Sequence, residues 1–253
     1  MAGNLIGNTA LILEYDGAAY AGWQYQINAI SIQEVLSEAI GKITGEDIKP
    51  DGAGRTDAGV HALGQVASFT TNSGIPAEKF ASALNAVLPQ DISVRSSEAA
   101  EDGFHARFSA RGKHYRYIVL NRRQRAALWT SRAWHVPDRL DFEAMQEAAG
   151  YFLGCHSFKA FCAAGYGTST FERSIFLSRW QRDGDLLIFD TKGDGFLYNM
   201  VRIMVGTMTD IGRGRFKPEI IRRAIESGQR GSIGITAPPW GLYLMEVYYD
   251  REA

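Results

Sequence analysis

The segment Gly52-Ala53-Gly54-Arg55-Thr56-Asp57-Ala58-Gly59-Val60-His61 holds the residues best suited to chemistry. It sets one carboxylate, Asp57, two positions after a guanidinium, Arg55, in a loop with three glycines. Without Cβ atoms at 52, 54 and 59, the backbone can turn tightly and a ligand can come close. Val66-Ala67-Ser68-Phe69-Thr70 follows as a strand, and loops carried on rigid strands are where catalytic groups gather. Asp57 also reads as a turn residue bonding its own backbone, a common role for aspartate among glycines. The loop opens like the dinucleotide fingerprint G-x-G-x-x-G. Its sixth position is Asp57, however, whose charge would repel a pyrophosphate, and no helix signal follows.

Three more side chains are candidates. Arg202 sits in Gly195-Phe196-Leu197-Tyr198-Asn199-Met200-Val201-Arg202-Ile203-Met204-Val205, surrounded by apolar residues. Buried, it needs a carboxylate partner; otherwise its stem carries the charge out to water. Asp57 is an attractive partner, because an ion pair lowers a carboxyl pKa and a nucleophilic carboxylate must stay ionised. Tyr115 lies in Lys113-His114-Tyr115-Arg116-Tyr117, where aromatic and basic residues interleave as nucleic-acid sites require, or as an aromatic core strand does. Arg55 could reach a phosphate, fill the gap left by an extruded base, or be a plain surface charge. The five histidines show no metal-ligand spacing, and no serine or cysteine hydrolase motif occurs. Cys155 and Cys162 read as packed thiols in a reducing compartment rather than a zinc site.

The elements that must position these groups are legible from periodicity. Strands are expected over 9–15, 65–71, 92–95, 115–119, 176–180, 186–190 and 242–248. Ser31 with Glu34 three residues on forms a capping box for a helix carrying Ile32, Val35, Leu36, Ala39, Ile40 and Ile43. Pro76 suits the first turn of a second helix, with Phe80, Leu84 and Val87 on one face. Residues 141–153 predict an amphipathic helix, 196–212 a helix apolar nearly all round, and Pro218 the start of a short one. Arg182-Asp183-Gly184-Asp185 marks a hairpin turn. In strand 115–119, Tyr115, Tyr117 and Val119 share one face and Arg116 and Ile118 the other. This pattern predicts an α/β (α+β) protein of two similar lobes, 1–105 and 106–253, joined near residues 103–110.

Composition bounds the class. The chain has 253 residues, 45% hydrophobic and 22% charged, as in ordinary globular proteins. No apolar run approaches the roughly 20 residues that span a bilayer. Met1–Gly7 lacks the basic and apolar regions of a secretory signal, so the cytoplasm is expected. Net charge is −1, yet Gly103 to Pro137 holds no acidic residue and eight basic ones: Arg107, Arg111, Lys113, Arg116, Arg122, Arg123, Arg125 and Arg132. Such asymmetry can build a positive surface on a near-neutral protein; scattered solvated arginines are the alternative.

Several motifs in fixed order are similar to those of the TruA family of tRNA pseudouridine synthases. They are Tyr15-Asp16-Gly17-Ala18-Ala19-Tyr20-Ala21-Gly22-Trp23-Gln24, Ser31-Ile32-Gln33-Glu34, Gly54-Arg55-Thr56-Asp57 with Gly59-Val60-His61, and Asn85-Ala86-Val87-Leu88-Pro89. Phe104-His105-Ala106-Arg107, Lys113-His114-Tyr115-Arg116-Tyr117, Met200-Val201-Arg202 and Ala237-Pro238-Pro239-Trp240-Gly241-Leu242 complete the series; His114 and Trp240 vary from it. The resemblance implies pseudouridine formation at uridines 38, 39 and 40 of the tRNA anticodon stem-loop. It implies Asp57 as nucleophile, Tyr115 stacked on the target uracil, Arg202 paired with Asp57, and Arg55 holding the base flipped out. It further implies a homodimer of two-lobed subunits, each lobe a mainly antiparallel sheet with helices on one face, and a basic active-site cleft between lobes. No cofactor or metal and no membrane association are implied. Two other readings fit single features of the chain: an RNA-binding module in which Asp57 only shapes a turn, and a Rossmann-type oxidoreductase, whose loop would need glycine at 57.

Overall fold

Leu11, Leu13 and Tyr15 are buried while Ile12 and Glu14 between them are exposed, the period-two signature of a strand with one covered face. This strand, β1 (Gly7–Tyr15), is followed by α1 (Ile32–Thr44), β2 (Asp51–Gly52), β3 (His61–Thr71), α2 (Phe80–Asn85) and β4 (Ile92–Ala99). Then come β5 (Gly112–Leu120), β6 (Trp134–His135), α3 (Phe142–Gly150), β7 (Gly154–Ser157), β8 (Glu172–Asp183) and β9 (Leu186–Gly193). The chain ends with α4 (Met200–Gly212), α5 (Ile220–Ser227) and β10 (Leu242–Tyr248). The computed structural model describes residues 7–165 and 170–250. Most of the N-terminal segment read above for a signal lies outside the described residues. The mixed α/β class expected from the sequence is observed. Among the described residues, no helix is long and apolar enough to cross a membrane.

The backbone divides into two units, one of residues 7–111 with 244–250, the other of residues 112–243. In the first, the strands run in the order β4-β1-β3-β10, with β2 on β3. β1 is antiparallel to both neighbours, setting Leu11 opposite Ala67 and Thr9 opposite Ala99. The capping box on α1 is present in full: Glu34 N–H donates to Ser31 Oγ, and Ser31 N–H to the Glu34 carboxylate, each at 3.3 Å. Ile32, Leu36 and Ile40 are fully buried, as their spacing requires. α2 ends at Asn85, so Val87 falls beyond the helix and is exposed, unlike Phe80 and Leu84. Asn85 ties that end to β4 by exchanging two bonds with the Val94 main chain, at 2.9 and 2.8 Å.

In the second unit, β5-β9-β8-β7 pair in that order, antiparallel throughout, and β6 adds parallel to β5. Asp183 faces Leu186 across a two-residue turn, the hairpin expected at 182–185. Tyr115, Tyr117 and Val119 are buried and Arg116 and Ile118 half-buried, so the two-faced reading of β5 holds. The helix expected over 196–212 starts only at Met200. Asn199 takes a left-handed conformation (φ 59°, ψ 8°), which a right-handed helix cannot continue through. α3 likewise stops at Gly150, because 151–153 close on bonds three residues back, a tighter winding than α.

Two carboxylates in this unit, Asp190 and Asp210, are shut away almost completely. Asp190 on β9 faces Arg116 on β5 and is 2% exposed. It accepts from Arg116 Nε at 3.0 Å and Nη2 at 3.1 Å, and lies 2.7 Å from His114 Nε2. Burial pushes its pKa up, but the bonds and charges of His114 and Arg116 outweigh this and bring it below the ordinary value. Its folded-state pKa is thus depressed, so its stabilisation is present above the unfolded value of about 3.9 and lost as pH falls through the folded one. Asp190→Ala is expected to cost about 2–3 kcal/mol at neutral pH, the low end for breaking a buried pair because Arg116 keeps some solvent. Denaturant melts of both proteins from pH 7 downward check this, with the gap between them closing in acid.

Candidate active site

The Asp57 loop is fixed by main chain before any side chain contributes. Ala53 N–H donates to Val66 C=O at 2.8 Å, docking the loop on β3. Val60 N–H donates to Asp57 C=O at 3.1 Å, a main-chain bond that closes the turn over 57–60. A second loop, 17–23, backs it. Trp23 N–H donates to Thr56 C=O at 3.0 Å and Gly59 N–H to Tyr20 C=O at 3.2 Å. That loop is in turn held by the start of α1, where Ile32 N–H and Gln33 N–H donate to Gly22 and Trp23 carbonyls at 3.0 and 2.9 Å. Gln33, 4% exposed, also donates to Pro50 C=O at 2.9 Å and accepts from Tyr25 N–H at 3.0 Å. The motifs around 15–24, 31–34 and 52–61 are therefore three layers of one support.

Side chains complete it. Tyr15 OH and Thr56 Oγ1 are 2.8 Å apart, and Gln65 Nε2 donates to Gly54 C=O at 2.8 Å. His61, buried, receives Gly17 N–H on Nδ1 at 3.1 Å. Asp57 itself is half-buried and Arg55 is exposed.

Tyr115 and Arg202 belong to the other unit. Tyr115, 8% exposed, meets Phe196 edge-on with ring centres 5.0 Å apart. Arg202 is half-buried, while every other residue of α4 is buried. Its Nε donates to Ala237 C=O at 2.8 Å and its Nη1 to Asn199 Oδ1 at 2.6 Å; Ala237 N–H returns a bond to Arg202 C=O at 3.0 Å. This approach of loop to helix needs glycine at 206, where a Cβ would overlap the Ile235 carbonyl. Tyr117 OH donates to Pro238 C=O at 2.7 Å. Burial holds the Tyr117 phenol well above its usual pKa, and the Arg202 charge offsets part of that.

The acid-free stretch 103–137 is less free than its count suggests. Arg116 is committed to Asp190, and Arg122 to Asp185 at 3.2 Å and to the carbonyls of Gln124 and Arg125. Arg107, Arg111, Arg123 and Arg125 are exposed. Among the described residues, no group of three His, Cys, Asp or Glu is gathered as metal ligands. An open cleft of about 480 Å³ in the first unit is lined by Asp47, Lys49, Asp51, Asp102 and His105 among others; Asp57 is not part of it.

The sequence pattern of the tRNA pseudouridine synthase family matches residues 11–109 and 148–250. A relative named tRNA pseudouridine synthase A from Acetivibrio thermocellus is 50% identical over 242 residues, 96% of this chain and 99% of its own. Proteins of the same name from Thermoanaerobacter sp. (strain X514) and Geotalea uraniireducens are 47% and 45% identical, covering 96% and 94% of this chain and 99% and 98% of theirs. The chain belongs to the tRNA pseudouridine synthase family.

In this member of the tRNA pseudouridine synthase family, the sequence motifs name Asp57, Arg55, Tyr115 and Arg202 as candidates but do not show what holds them. Asn199 and Ala237 orient Arg202, and Gly22 admits the Thr56 backbone. Gly22 has φ of +90°, and a Cβ there would overlap the Thr56 carbonyl oxygen and crowd Asp57 and Ala58. The signal was in the sequence, as a glycine inside a matched motif, but its neighbour lies 34 positions away. Gly22→Ala is expected to push the two loops apart. Amide hydrogen exchange reads this directly: the Trp23 and Gly59 amides should lose protection while those of β1 keep theirs. Unchanged protection at Trp23 would contradict the close-approach account.

Proposed function

We propose that this chain isomerises uridine to pseudouridine in tRNA, with Asp57 as the nucleophile. Membership of the family and the names of its relatives support the reaction. The observation that carries the role of Asp57 is its seat in a turn locked by main chain on both sides, directly after the buried Thr56. A nucleophile held this way reacts without first having to be ordered.

The reaction breaks the bond between ribose and a uracil nitrogen, turns the base, and rejoins the same ribose carbon to a base carbon. The proton released at that carbon is matched by one gained at the freed nitrogen, so nothing is oxidised or reduced. The base must first leave its stack, at a cost of a few kcal/mol. Phosphate contacts offset that cost, and the exposed Arg107, Arg111, Arg123 and Arg125 are suited to them. Asp57 then acts at the exposed nucleoside. The Tyr115 ring, braced by Phe196, stacks on the uracil while it rotates. The likeness of motifs supports Arg202 as the cation that keeps Asp57 ionised, and Arg55, at the loop surface, as the residue that holds the flipped base out. The likeness of motifs further supports the anticodon stem-loop as target, a homodimer as the active form, and the cytoplasm as location.

Asp57→Asn is expected to abolish pseudouridine formation while tRNA binding survives. A gel shift and a pseudouridine assay on the same variant check it, and retained turnover ends the proposal. Arg202→Met is expected to lose activity at neutral pH with its melting temperature near that of the parent; full activity in that variant refutes the ion pair.

A further inference from the structure

We propose that Tyr15, Thr56 and Gln65 form a buried hydrogen-bond chain that sets the direction in which Asp57 attacks, making Thr56 a positioning residue for the reaction. This deepens the role given to Asp57 above and rests on it. All three side chains are closed to solvent: Tyr15 is 4% exposed, Thr56 6% and Gln65 0%. Tyr15 OH lies 2.8 Å from Thr56 Oγ1, and Gln65 Nε2 lies 3.5 Å from Tyr15 OH and 2.8 Å from Gly54 C=O.

The chain has a fixed sense at its Gln65 end. A carbonyl can only accept, so the amide nitrogen of Gln65 must face Gly54. The second hydrogen on that nitrogen is directed to the Tyr15 oxygen. Tyr15 OH and Thr56 Oγ1 share the next bond, in which either hydroxyl can donate. Among the described residues, nothing donates to the buried Gln65 Oε1, so the amide is held for its donors and not its acceptor. Burial pushes the Tyr15 phenol up to about 12, partly offset by its bonds to Thr56 and Gln65, so it stays protonated through the physiological range.

What this adds to the backbone scaffold is torsional. Trp23 N–H holds the Thr56 carbonyl, and Val60 N–H holds the Asp57 carbonyl. These bonds fix where the loop runs. Taken alone, two held carbonyls leave rotation about the line joining them. A side-chain anchor on Thr56, off that line, removes the freedom, and Gln65 does the same for Gly54 two residues earlier.

The test is single-turnover pseudouridine formation on tRNA with enzyme in excess, run with tRNA affinity and melting temperature for Thr56→Val, Thr56→Ser, Tyr15→Phe and the Tyr15→Phe/Thr56→Val pair. Misplacing a reacting group by about 1 Å costs up to about 100-fold, so Thr56→Val and Tyr15→Phe are expected to slow the step by about 10- to 100-fold with tRNA affinity held within about twofold. Thr56→Ser, which keeps the hydroxyl, is expected to recover to within about threefold of the parent. The pair should lose no more than either single variant, since both cut the same chain. A full-rate Thr56→Val, or a Ser variant as slow as the Val one, overturns the proposal. Should Thr56→Val fail to fold, Tyr15→Phe removes a single oxygen, keeps the ring, and decides the matter by the same rate comparison. Asp57→Asn measured alongside separates the two levels. If it is active, the nucleophile assignment falls; if it is inactive while Thr56→Val runs at full rate, only the positioning role falls.

Discussion

Two stretches of backbone touch at Gly22 and Thr56 with no side chain between them, and the candidate site depends on that approach. A Cβ on residue 22 would occupy the volume of the Thr56 carbonyl oxygen, and its φ of +90° is one that L side chains rarely adopt. Both requirements fall on the same atom, so the position tolerates glycine alone. What the approach provides is a short lever. The N-terminus of α1 is set by the Ser31–Glu34 cap, α1 holds residues 22 and 23, and these hold Thr56. Three transfers of rigidity, the first by capping side chains and the other two by main-chain hydrogen bonds, carry the order of a packed helix to a surface loop. Loops are otherwise the mobile part of a fold, and a reacting group placed on one needs such backing.

Local patterns are legible in the sequence because their causes are local. The capping box needs only residues 31 and 34, the two faces of β5 need only alternation, and the hairpin at 183–186 needs only its turn. The start of α4 departs from expectation because nothing in an apolar run says that Asn199 will go left-handed; its side chain is drawn instead to Arg202 Nη1. The Asp57 loop is legible as a motif, but its supports are not. Tyr15 and Thr56 are 41 residues apart, and Arg202 and Ala237 are 35. Hydrogen bonds at such separations are specified by the assembled sheet, not by spacing along the chain. A motif shows that several residues act together without showing which of them touch.

Charge illustrates the same limit. Eight basic residues without an acid between 103 and 137 suggest a positive surface, and acids from elsewhere in the chain claim part of it. Arg116 meets Asp190 across β9, and Arg122 meets Asp185 at the hairpin turn. These two arginines hold the fold and are poorly placed to meet a phosphate. The positive charge left for a polyanion is set by the exposed remainder, Arg107, Arg111, Arg123 and Arg125 among them. A segment's charge is thus an upper bound on what it offers a partner.

The two carboxylates that stand out in this chain, Asp57 and Asp190, show why burial alone is a poor guide to chemistry. Asp190 is nearly closed to solvent, its pKa is lowered, and a histidine and an arginine converge on it, which together resemble a tuned site. Yet it sits in mid-strand, and both of its oxygens are taken by neighbours across the ladder. A nucleophile must present a lone pair to an incoming carbon, and Asp190, 2% exposed in mid-sheet, has no face that such a carbon could reach. Asp57 is seated differently. Its backbone is immobilised by Val60, Trp23 acts on the residue before it, and its side chain rises half-buried from a glycine-flanked turn that a ligand can approach. That difference in access, and not burial, favours Asp57 over Asp190 as the proposed nucleophile.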